Sequence, residues 1–227
     1  MTRRPKTLAD PLAHDRRAAL RLVPVSRETE ARLDAFVALL DRWRRKTNLV
    51  ASSTFPSVWT RHIADSAQLP ALVPEARRWL DMGSGAGFPG LVIAIQLADI
   101  PGAVVHCAES DRKKAAFLRE AARATGAAAV IHPERVEAIE PESLGPVDAV
   151  TARAFAPLPI TLELARPWIE RGAIAVFPRG ESAKDQIAAL AQTPPEASLY
   201  AVETLFSVVN PKAAILRIRR SLRPEGR

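Results

Sequence analysis

The stretch that decides the fold is Trp79-Leu80-Asp81-Met82-Gly83-Ser84-Gly85-Ala86-Gly87-Phe88-Pro89-Gly90. A short apolar strand leads to an acidic residue and then to four of the chain's ten glycines, followed by an apolar, helix-like segment over 91–98. Glycines at this density permit a tight turn and a close approach of a ligand to the backbone. The helix that follows offers free backbone N–H groups in its first turn. The stretch therefore predicts a nucleotide-type cofactor site.

Two cofactors compete for this loop. Gly85-x-Gly87-x-x-Gly90 satisfies the dinucleotide-binding fingerprint, and Glu109 follows about 20 residues later at the end of the next predicted strand. Asp81 favours S-adenosylmethionine (SAM) instead, because its carboxylate would repel a pyrophosphate and attract an ammonium and a sulfonium group. The remaining alternative, that the glycines only shape a turn, is disfavoured by their number. We therefore predict SAM as the cofactor, with contacts at Asp81, Gly83, Gly85 and Gly87.

The composition indicates one sizeable domain with a small appendage. The chain has 227 residues, 48% of them hydrophobic, and no apolar run approaches the roughly 20 residues of a membrane span. Its single cysteine, Cys107, excludes an internal disulfide and a cysteine-rich metal site, and lies in an apolar run typical of a buried strand. No apolar stretch follows the basic residues at the N-terminus, so no secretory signal is predicted. We expect a cytoplasmic monomer that binds neither a membrane nor a metal.

The net charge of +7 is concentrated at the two ends of the chain. Residues 1–50 hold 12 Lys/Arg against 6 Asp/Glu, residues 212–227 hold 6 against 1, and the residues between them hold 14 against 18. Basic ends around a mildly acidic centre suit a protein that holds a cofactor in one part and a polyanion in another. Solvated surface charge and frayed termini are the alternative explanation.

The pattern along the chain divides it into three regions. Residues 1–25 mix charge and proline without a clear period, which predicts a flexible basic arm. Residues 26–76 are predicted to form a helical cap, with Ser26 as the N-cap of one helix and Pro56 near the start of a second. Residues 77–227 alternate between strand and helix patterns, which predicts the SAM-binding domain.

The predicted sheet of this third region is mostly parallel. Its first three strands are apolar on both faces, as in a parallel sheet covered by helices. The last two predicted strands, 200–206 and 213–219, are joined by a short turn at Asn210-Pro211 and must form an antiparallel hairpin. The predicted fold class is α/β: a Rossmann-like sheet with one antiparallel strand near the C-terminus and helices on both faces, at 91–98, 112–125, 158–169 and 182–191. SAM-dependent methyltransferases have this arrangement.

Two charged residues stand where predicted strands end. The carboxylate of Glu109 can accept both ribose hydroxyls of SAM, because ligands bind outside the carboxyl ends of the strands in such a sheet. Its alternative role is to cap the helix that begins at Asp111. Arg153 follows an apolar run, where an arginine is costly unless it is paired. It can hold the methionine carboxylate of SAM, pair with Asp81, or form a structural ion pair.

Several separate segments, in order between about residues 30 and 220, resemble the RsmG (GidB) family of 16S ribosomal RNA guanine-N7 methyltransferases. The distinctive segments are Arg61-His62-Ile63-Ala64-Asp65-Ser66 and the glycine loop with its Phe88-Pro89-Gly90 ending. The others are Asn48-Leu49-Val50, Glu109-Ser110-x-x-Lys113-Lys114, Arg135-Val136-Glu137 and Arg153-Ala154-Phe155.

The resemblance implies an enzyme that methylates one guanine at N7 in the 16S rRNA of the small ribosomal subunit. It implies that the segment around Arg61 borders the catalytic pocket, where His62 and Asp65 are candidates for a catalytic role. A histidine on a helix is otherwise a satisfied surface or core residue. The implied cofactor contacts are Gly83, Phe88, Val136, Glu137 and Arg153.

RNA contacts are expected from basic residues. The family has a lysine before the glycine that follows the fifth strand, and this chain has Arg179-Gly180 there. Arginine keeps the positive charge and adds a planar fork that suits phosphate. Four basic residues, three of them at the end of the first predicted helix, complete the candidate set: Arg44, Arg45, Lys46 and Arg61.

Guanine N7 carries a free lone pair, so the predicted mechanism is in-line transfer through positioning and electrostatics, without a general base. Three alternatives remain open at this stage. The chain is a SAM-dependent methyltransferase for another RNA base or a small molecule, a non-catalytic ribosome-binding protein, or a dinucleotide-dependent oxidoreductase. Asp81 and the reversed strand disfavour the last.

Overall fold

The computed structural model describes residues 11–180, 186 and 199–221. In these parts of the chain seven strands form one sheet, in the order β3-β2-β1-β4-β5-β7-β6. Strand β7 is antiparallel to both of its neighbours, and the other adjacent pairs are parallel. The predicted fold class, with its single reversed strand, is confirmed. The strands are β1 (Arg78–Met82), β2 (Val104–Ala108), β3 (Ala129–His132), β4 (Ala149–Thr151), β5 (Ile174–Arg179), β6 (Tyr200–Phe206) and β7 (Ala214–Arg220).

The helices cover both faces of the sheet and the N-terminal region. Ser26 accepts the N–H of Thr29 and is the N-cap that the sequence predicted. The predicted helices over 112–125 and 158–169 are confirmed, and the one over 182–191 lies outside the described residues except for residue 186. The α-helices are α1 (Pro11–Leu22), α2 (Arg27–Trp43), α3 (Asp65–Ala67), α4 (Gly90–Gln96), α5 (Arg112–Thr125) and α6 (Leu158–Ile169).

The segment predicted to start a helix near Pro56 is helical but irregular. A 3-10 turn at Phe55–Ser57 precedes a π-helical segment, Trp59–Ala64, which runs directly into α3. π-Helical turns are rare, and they occur frequently at functional sites. No local sequence pattern distinguishes them from α-helix, so the prediction could not include this detail.

Residues 11–22 form helix α1, where the sequence led us to expect a flexible arm. Arg16 of α1 pairs with Glu30 and Asp34 of α2, and its guanidinium lies 5.2 Å from the ring centre of Trp59. These contacts hold the helix together with apolar packing, because Ala19 is buried in the core and Leu12 and Leu20 pack against it. The arm prediction is therefore wrong from residue 11 onward, and residues 1–10 lie outside the described part.

The N-terminal helices share a hydrophobic core with the sheet domain. Phe36 of α2 packs against Phe88 of the glycine loop and Phe117 of α5, with ring centres 5.5 and 6.1 Å apart. Leu33 and Leu40 of α2 belong to the same buried cluster. Each such side chain contributes roughly 1.5–3 kcal/mol of burial free energy. The predicted cap is thus a layer that packs on the outside of the glycine loop. No helix in the described ranges has the length and apolar content to cross a bilayer.

Candidate active site

The loop between β1 and α4 uses its glycines in different ways. Gly83, Gly85 and Gly87 have φ angles of 71°, 56° and 91°, which side chains disfavour. A Cβ atom on Gly87 would lie 3.0 Å from Leu91 and 3.2 Å from Phe36, so this glycine makes room for core packing. A Cβ atom on Gly85 would meet only the carbonyl oxygen of Gly83, at 3.9 Å. Gly85 is therefore the position where the loop leaves space for a ligand.

Asp81 lies beneath this loop. It is fully buried, and its Oδ2 accepts the N–H of Gly90 at 3.0 Å. A Cβ atom on Gly90 would be 2.4 Å from that oxygen, so only glycine lets α4 begin this close to Asp81. Among the described residues Oδ1 has no hydrogen-bond partner, and burial raises the pKa of Asp81 to about 6. The carboxylate therefore acts on a ligand through its field, from under the loop.

Glu109 joins the glycine loop to α5. Its Oε2 accepts the N–H of Gly85 at 2.8 Å, and its Oε1 accepts the N–H of Asp111 at 2.7 Å. The N-cap of α5 is Asp111 itself, whose side chain accepts the N–H groups of Lys113 and Lys114. Each carboxylate oxygen of Glu109 keeps a second lone pair. Glu109 can thus bind ribose hydroxyls while it orders the loop.

A cavity of about 510 Å³ lies above the glycine loop, and we call it the first cavity. Five predicted cofactor contacts line it: Gly83, Gly85, Phe88, Glu109 and Arg153. The other four do not line it: Asp81 and Gly87 support the loop, Val136 is buried in the core, and Glu137 is exposed.

Sequence reasoning assigned no role to several other residues on the wall of the first cavity. Leu49 and Val50 belong to a segment of the family resemblance, which was the one signal that pointed to them. Phe155 also belongs to such a segment, and it packs where a Cβ atom on Gly83 would come within 2.4 Å of its ring. The remaining residues without a predicted role are Ala51, Thr54, Ser84, Ala86, Ser110, Lys114 and Ala154.

Arg153 connects the N-terminal segment to the sheet. Its Nη2 donates to Nδ1 of His62 at 2.8 Å, and its Nη1 donates to Oδ2 of Asp65 and to the carbonyl of Arg61, both at 3.3 Å. The guanidinium lies 5.2 Å from the ring centre of Phe88. The sequence left open a pairing with Asp81 or a structural ion pair, and the structure shows an ion pair with Asp65, which the sequence had not named as a partner. Arg153 also lines the first cavity, where it can meet a carboxylate.

His62 is neutral, and its ring is held in one orientation. A guanidinium only donates hydrogen bonds, so Nδ1 is the acceptor and the neutral ring carries its proton on Nε2. Burial, followed by the charges of Arg153 and Arg61, lowers the pKa of His62 to about 3. The ring stacks on Phe88 with centres 4.9 Å apart. In this arrangement His62 has no free lone pair with which to act as a general base.

The segment that carries these residues is anchored by α1. Asp15 accepts the N–H groups of Trp59 and Thr60, at 2.8 and 3.2 Å, and the hydroxyl of Thr60 at 2.6 Å. It thereby caps the start of the π-helical segment. At the other end the hydroxyl of Ser66 donates to the carbonyl of His62 at 2.6 Å. Arg61, His62 and Asp65 are thus positioned by one contact that is distant in sequence, through Asp15, and by a local one, through Ser66.

A second cavity, of about 1000 Å³, adjoins the first. The two cavities share a wall, which contains one left-handed residue, Ala154, with a φ of 49°. A non-glycine residue in this conformation carries strain of order 1 kcal/mol, which is typical of functional sites. Arg179 and Asn210 also line the second cavity. The shared wall consists of Arg61, His62, Arg153, Ala154 and Phe155.

The other predicted RNA contacts lie at the end of α2. Arg44 pairs with Asp41 at 2.6 Å and its guanidinium covers the ring of Phe55 at 4.0 Å, so it has a structural role. Arg45 also pairs with Asp41, but its side chain is 71% exposed, and Lys46 is exposed. Arg45 and Lys46 are therefore the residues of this group that a polyanion can reach.

Comparison with known proteins identifies the family. The family model described as "GidB: rRNA small subunit methyltransferase G" matches residues 29–212. The chain belongs to the GidB family. A relative named ribosomal RNA small subunit methyltransferase G, from Nitrobacter hamburgensis, is 54% identical over 185 residues, which are 81% of this chain and 71% of the relative. One of the same name from Bradyrhizobium diazoefficiens is 53% identical over 182 residues, or 80% and 70% of the two chains.

Solved structures share the fold at low sequence identity. An O-methyltransferase from Bacillus cereus in complex with SAH has a TM-score of 0.59 and 17% identity, and the match covers 92% of this chain and 97% of the other. Cofactor-bound Rv0187 from MTB has a TM-score of 0.57 and 18% identity, with the same coverage. The predicted GidB family membership and methyltransferase class are confirmed.

Proposed function

We propose that this chain transfers the methyl group of SAM to N7 of one guanine in the 16S rRNA of the small ribosomal subunit. The observation that carries the proposal is the pair of adjoining cavities. The first lies above the glycine loop, and the second is lined by three arginines, Arg61, Arg153 and Arg179. A methyl donor in the first and a nucleotide in the second would meet at the wall that the cavities share.

The residues of the first cavity fit SAM. Gly85 leaves space where a side chain would stand, and Glu109 keeps lone pairs for ribose hydroxyls. Arg153 presents a guanidinium to a carboxylate, and the buried, half-partnered carboxylate of Asp81 favours a cation above the loop. When bound, SAM supplies an electrophilic methyl group on its sulfonium.

The side chains of the shared wall position the base and stabilise charge. Guanine N7 needs no deprotonation, and His62 has both ring nitrogens committed, one as an acceptor and one as a proton carrier. Asp65 lines the second cavity, where its carboxylate can stabilise the positive charge that develops on the guanine ring. Arg153 holds both side chains in place. We assign His62 and Asp65 to positioning and electrostatics, without proton transfer.

Product mapping tests this proposal. The protein is incubated with methyl-labelled SAM and, separately, with small subunits and naked 16S rRNA from cells that lack it. Label on N7 of one guanine supports the proposal and shows which preparation is the substrate. Excess S-adenosylhomocysteine, which should suppress the label, is the control. Label on another atom, or SAM binding without transfer to either preparation, would contradict the proposal and favour a different methyl acceptor.

We further propose that the enzyme acts in the cytoplasm as a monomer and without a metal. In the described ranges no group of three or more His, Cys, Asp or Glu residues could hold an ion. Light scattering on the protein as it elutes from a size-exclusion column measures its mass. A chelator in the methylation assay tests the metal requirement. A dimer mass or a loss of turnover with the chelator would contradict the respective prediction.

A further inference from the structure

Arg179, the last residue of β5, is a buried arginine without an acidic partner. It is 8% exposed, and its Nη1 donates to the carbonyl of Ala156 at 3.1 Å. Its Nε and Nη2 are shielded from solvent and have no hydrogen-bond partner in the described part of the chain, where Arg179 also forms no ion pair. Its guanidinium lies 5.5 Å from the ring centre of Phe177, a contact that offsets only part of the cost of the charge. A buried, unpaired cation is costly. Fold stability alone therefore does not account for an arginine at this position.

The surroundings of Arg179 carry an excess of positive charge. It lines the second cavity together with Arg61 and Arg153, and it does not line the first. The carboxylate that the described residues place on this cavity, Asp65, already pairs with Arg153. His62, also on the wall, is neutral because burial and the neighbouring arginines lower its pKa. The second cavity thus offers cations to an anionic ligand.

We propose that Arg179 binds the backbone phosphate of the nucleotide that enters the second cavity, an inference that rests on the proposed function. The unpaired Nε and Nη2 form one edge of the guanidinium, which is shielded from solvent in this structure. After a turn of the side chain toward the cavity, such an edge binds two oxygens of a phosphate in parallel. The competing ligand for the same edge is guanine, through O6 and N7. That contact would occupy the atom that receives the methyl group, so the phosphate is the ligand compatible with transfer.

Substitution of Arg179 separates a ligand-binding role from a structural one. Arg179→Met removes the unpaired charge and keeps most of the volume, so we expect the melting temperature to stay equal or to rise. Affinity for RNA should fall roughly 10- to 100-fold, the usual effect of losing hydrogen bonds to a charged group. The slope of log affinity against log salt should become shallower by about 1. Affinity for SAM should not change.

The experiment compares wild type, Arg179→Met, Arg179→Lys and Arg123→Met. The lysine variant keeps the charge without the fork, so it should keep the salt slope and bind RNA with intermediate affinity. Arg123 is an exposed residue in the last turn of α5, at the opposite edge of the sheet, and its substitution is the matched control. Melting temperature and SAM affinity are measured for each protein. Affinity for RNA is measured at several salt concentrations, with the preparation (small subunits or naked 16S rRNA) that serves as the substrate.

Three results would overturn the proposal for Arg179. They are an unchanged RNA affinity and salt slope in Arg179→Met, a fall in its melting temperature or SAM affinity, and methylation of additional guanines at unchanged RNA affinity, which would indicate base reading. The failure of the proposed function looks different. A wild type that methylates another atom, while Arg179→Met alone loses RNA affinity, contradicts the N7 assignment and leaves the phosphate contact supported. A wild type that binds neither RNA preparation overturns both.

Discussion

Asp81 and Arg179 are buried charges near the carboxyl edge of the sheet, Arg153 is a partly buried one, and each is balanced differently. Asp81 receives one backbone N–H on one of its oxygens. Arg153 is shared between Asp65 and His62. Arg179 has one carbonyl partner and the ring of Phe177, 5.5 Å from its guanidinium. Incomplete pairing of buried charges lowers stability, and it is tolerated where function requires a charge that a ligand completes.

The raised pKa of Asp81 predicts a pH-dependent stability. The folded-state pKa of about 6 lies above the value of about 3.9 for an unfolded chain, so the native state binds this proton more tightly. The stabilisation from this group is complete below about pH 4 and is lost as the pH rises through about 6. Asp81→Asn removes this titration.

The difference in melting temperature, Asp81→Asn minus wild type, should therefore rise between about pH 4 and pH 7 and then level off. Affinity for SAM should fall in the variant, because the charge that favours the cofactor is gone. Thermal unfolding of both proteins across this pH range measures the first effect, and calorimetric titration with SAM measures the second. A difference in melting temperature that is the same at every pH would contradict the burial argument for Asp81.

For His62 we predict that kcat shows no titration near neutral pH. Its pKa of about 3 keeps the ring neutral at every pH at which the enzyme is assayed. His62→Gln should lower kcat, because the partner of Arg153 and the stack on Phe88 are altered. The shape of the kcat profile between pH 6 and pH 8 should be the same in variant and wild type. An ionisation near pH 7 in wild type that disappears in His62→Gln would show that His62 transfers a proton.

At the scale of elements, the helices and strands could be predicted from apolar patterns in their own segments. The contacts between segments that are far apart in the chain could not. Helices α5 and α6 and the β6–β7 hairpin follow from apolar periodicity and turn residues in their own segments. Helix α1 is held by ion pairs with α2, and the π-helical segment by Asp15, which is 44 residues away from Trp59. The glycine loop indicated the first cavity, whereas the second depends on elements that meet only in the fold.

Asp15 is the anchor whose removal tests this dependence. Asp15→Ala leaves the N–H groups of Trp59 and Thr60 without their acceptor, so we expect a loss of about 1–3 kcal/mol of unfolding free energy. The rate of methylation should fall by more than the fraction of unfolded protein accounts for. Arg61 and His62 directly follow Trp59 and Thr60, whose turn is no longer held by Asp15. Denaturant unfolding and kcat measured at a temperature where the variant is folded check both effects.

The matched control for Asp15 is Asp34→Ala. Asp34 also contacts α1, through Arg16, but this is a half-exposed ion pair whose loss should cost about 1 kcal/mol or less. Activity in this variant should remain close to wild type, since no residue of the shared wall contacts Asp34 and Asp15 still holds the segment. Equal losses of activity in the two variants would mean that α1 supports the fold in general and not the site.

At the scale of the whole molecule, the described parts of the two basic regions lie in different places. The loop that follows α2 lines the first cavity, so Arg45 and Lys46 lie near the site. Strand β7 runs opposite to β5, with Ala214 beside Arg179 and Ile218 beside Ala175. Arg219 and Arg220 therefore lie at the edge of the sheet away from both cavities. Counting charges along the chain could not show that only one of these two basic groups lies near the cavities, because the direction of strand β7 decides at which edge of the sheet its arginines lie.

This distribution predicts that the end of α2 binds RNA. Replacing Arg45 and Lys46 by glutamine should weaken RNA binding and make the salt slope shallower by about 1–2, since each phosphate contact contributes about 0.7–0.9. Arg44 is left in place because it pairs with Asp41 and covers Phe55. The control replaces two exposed arginines at the opposite edge, Arg77 and Arg123, and should leave the slope unchanged. An equal change of slope in both double variants would mean that net charge alone, and not this face, attracts the RNA.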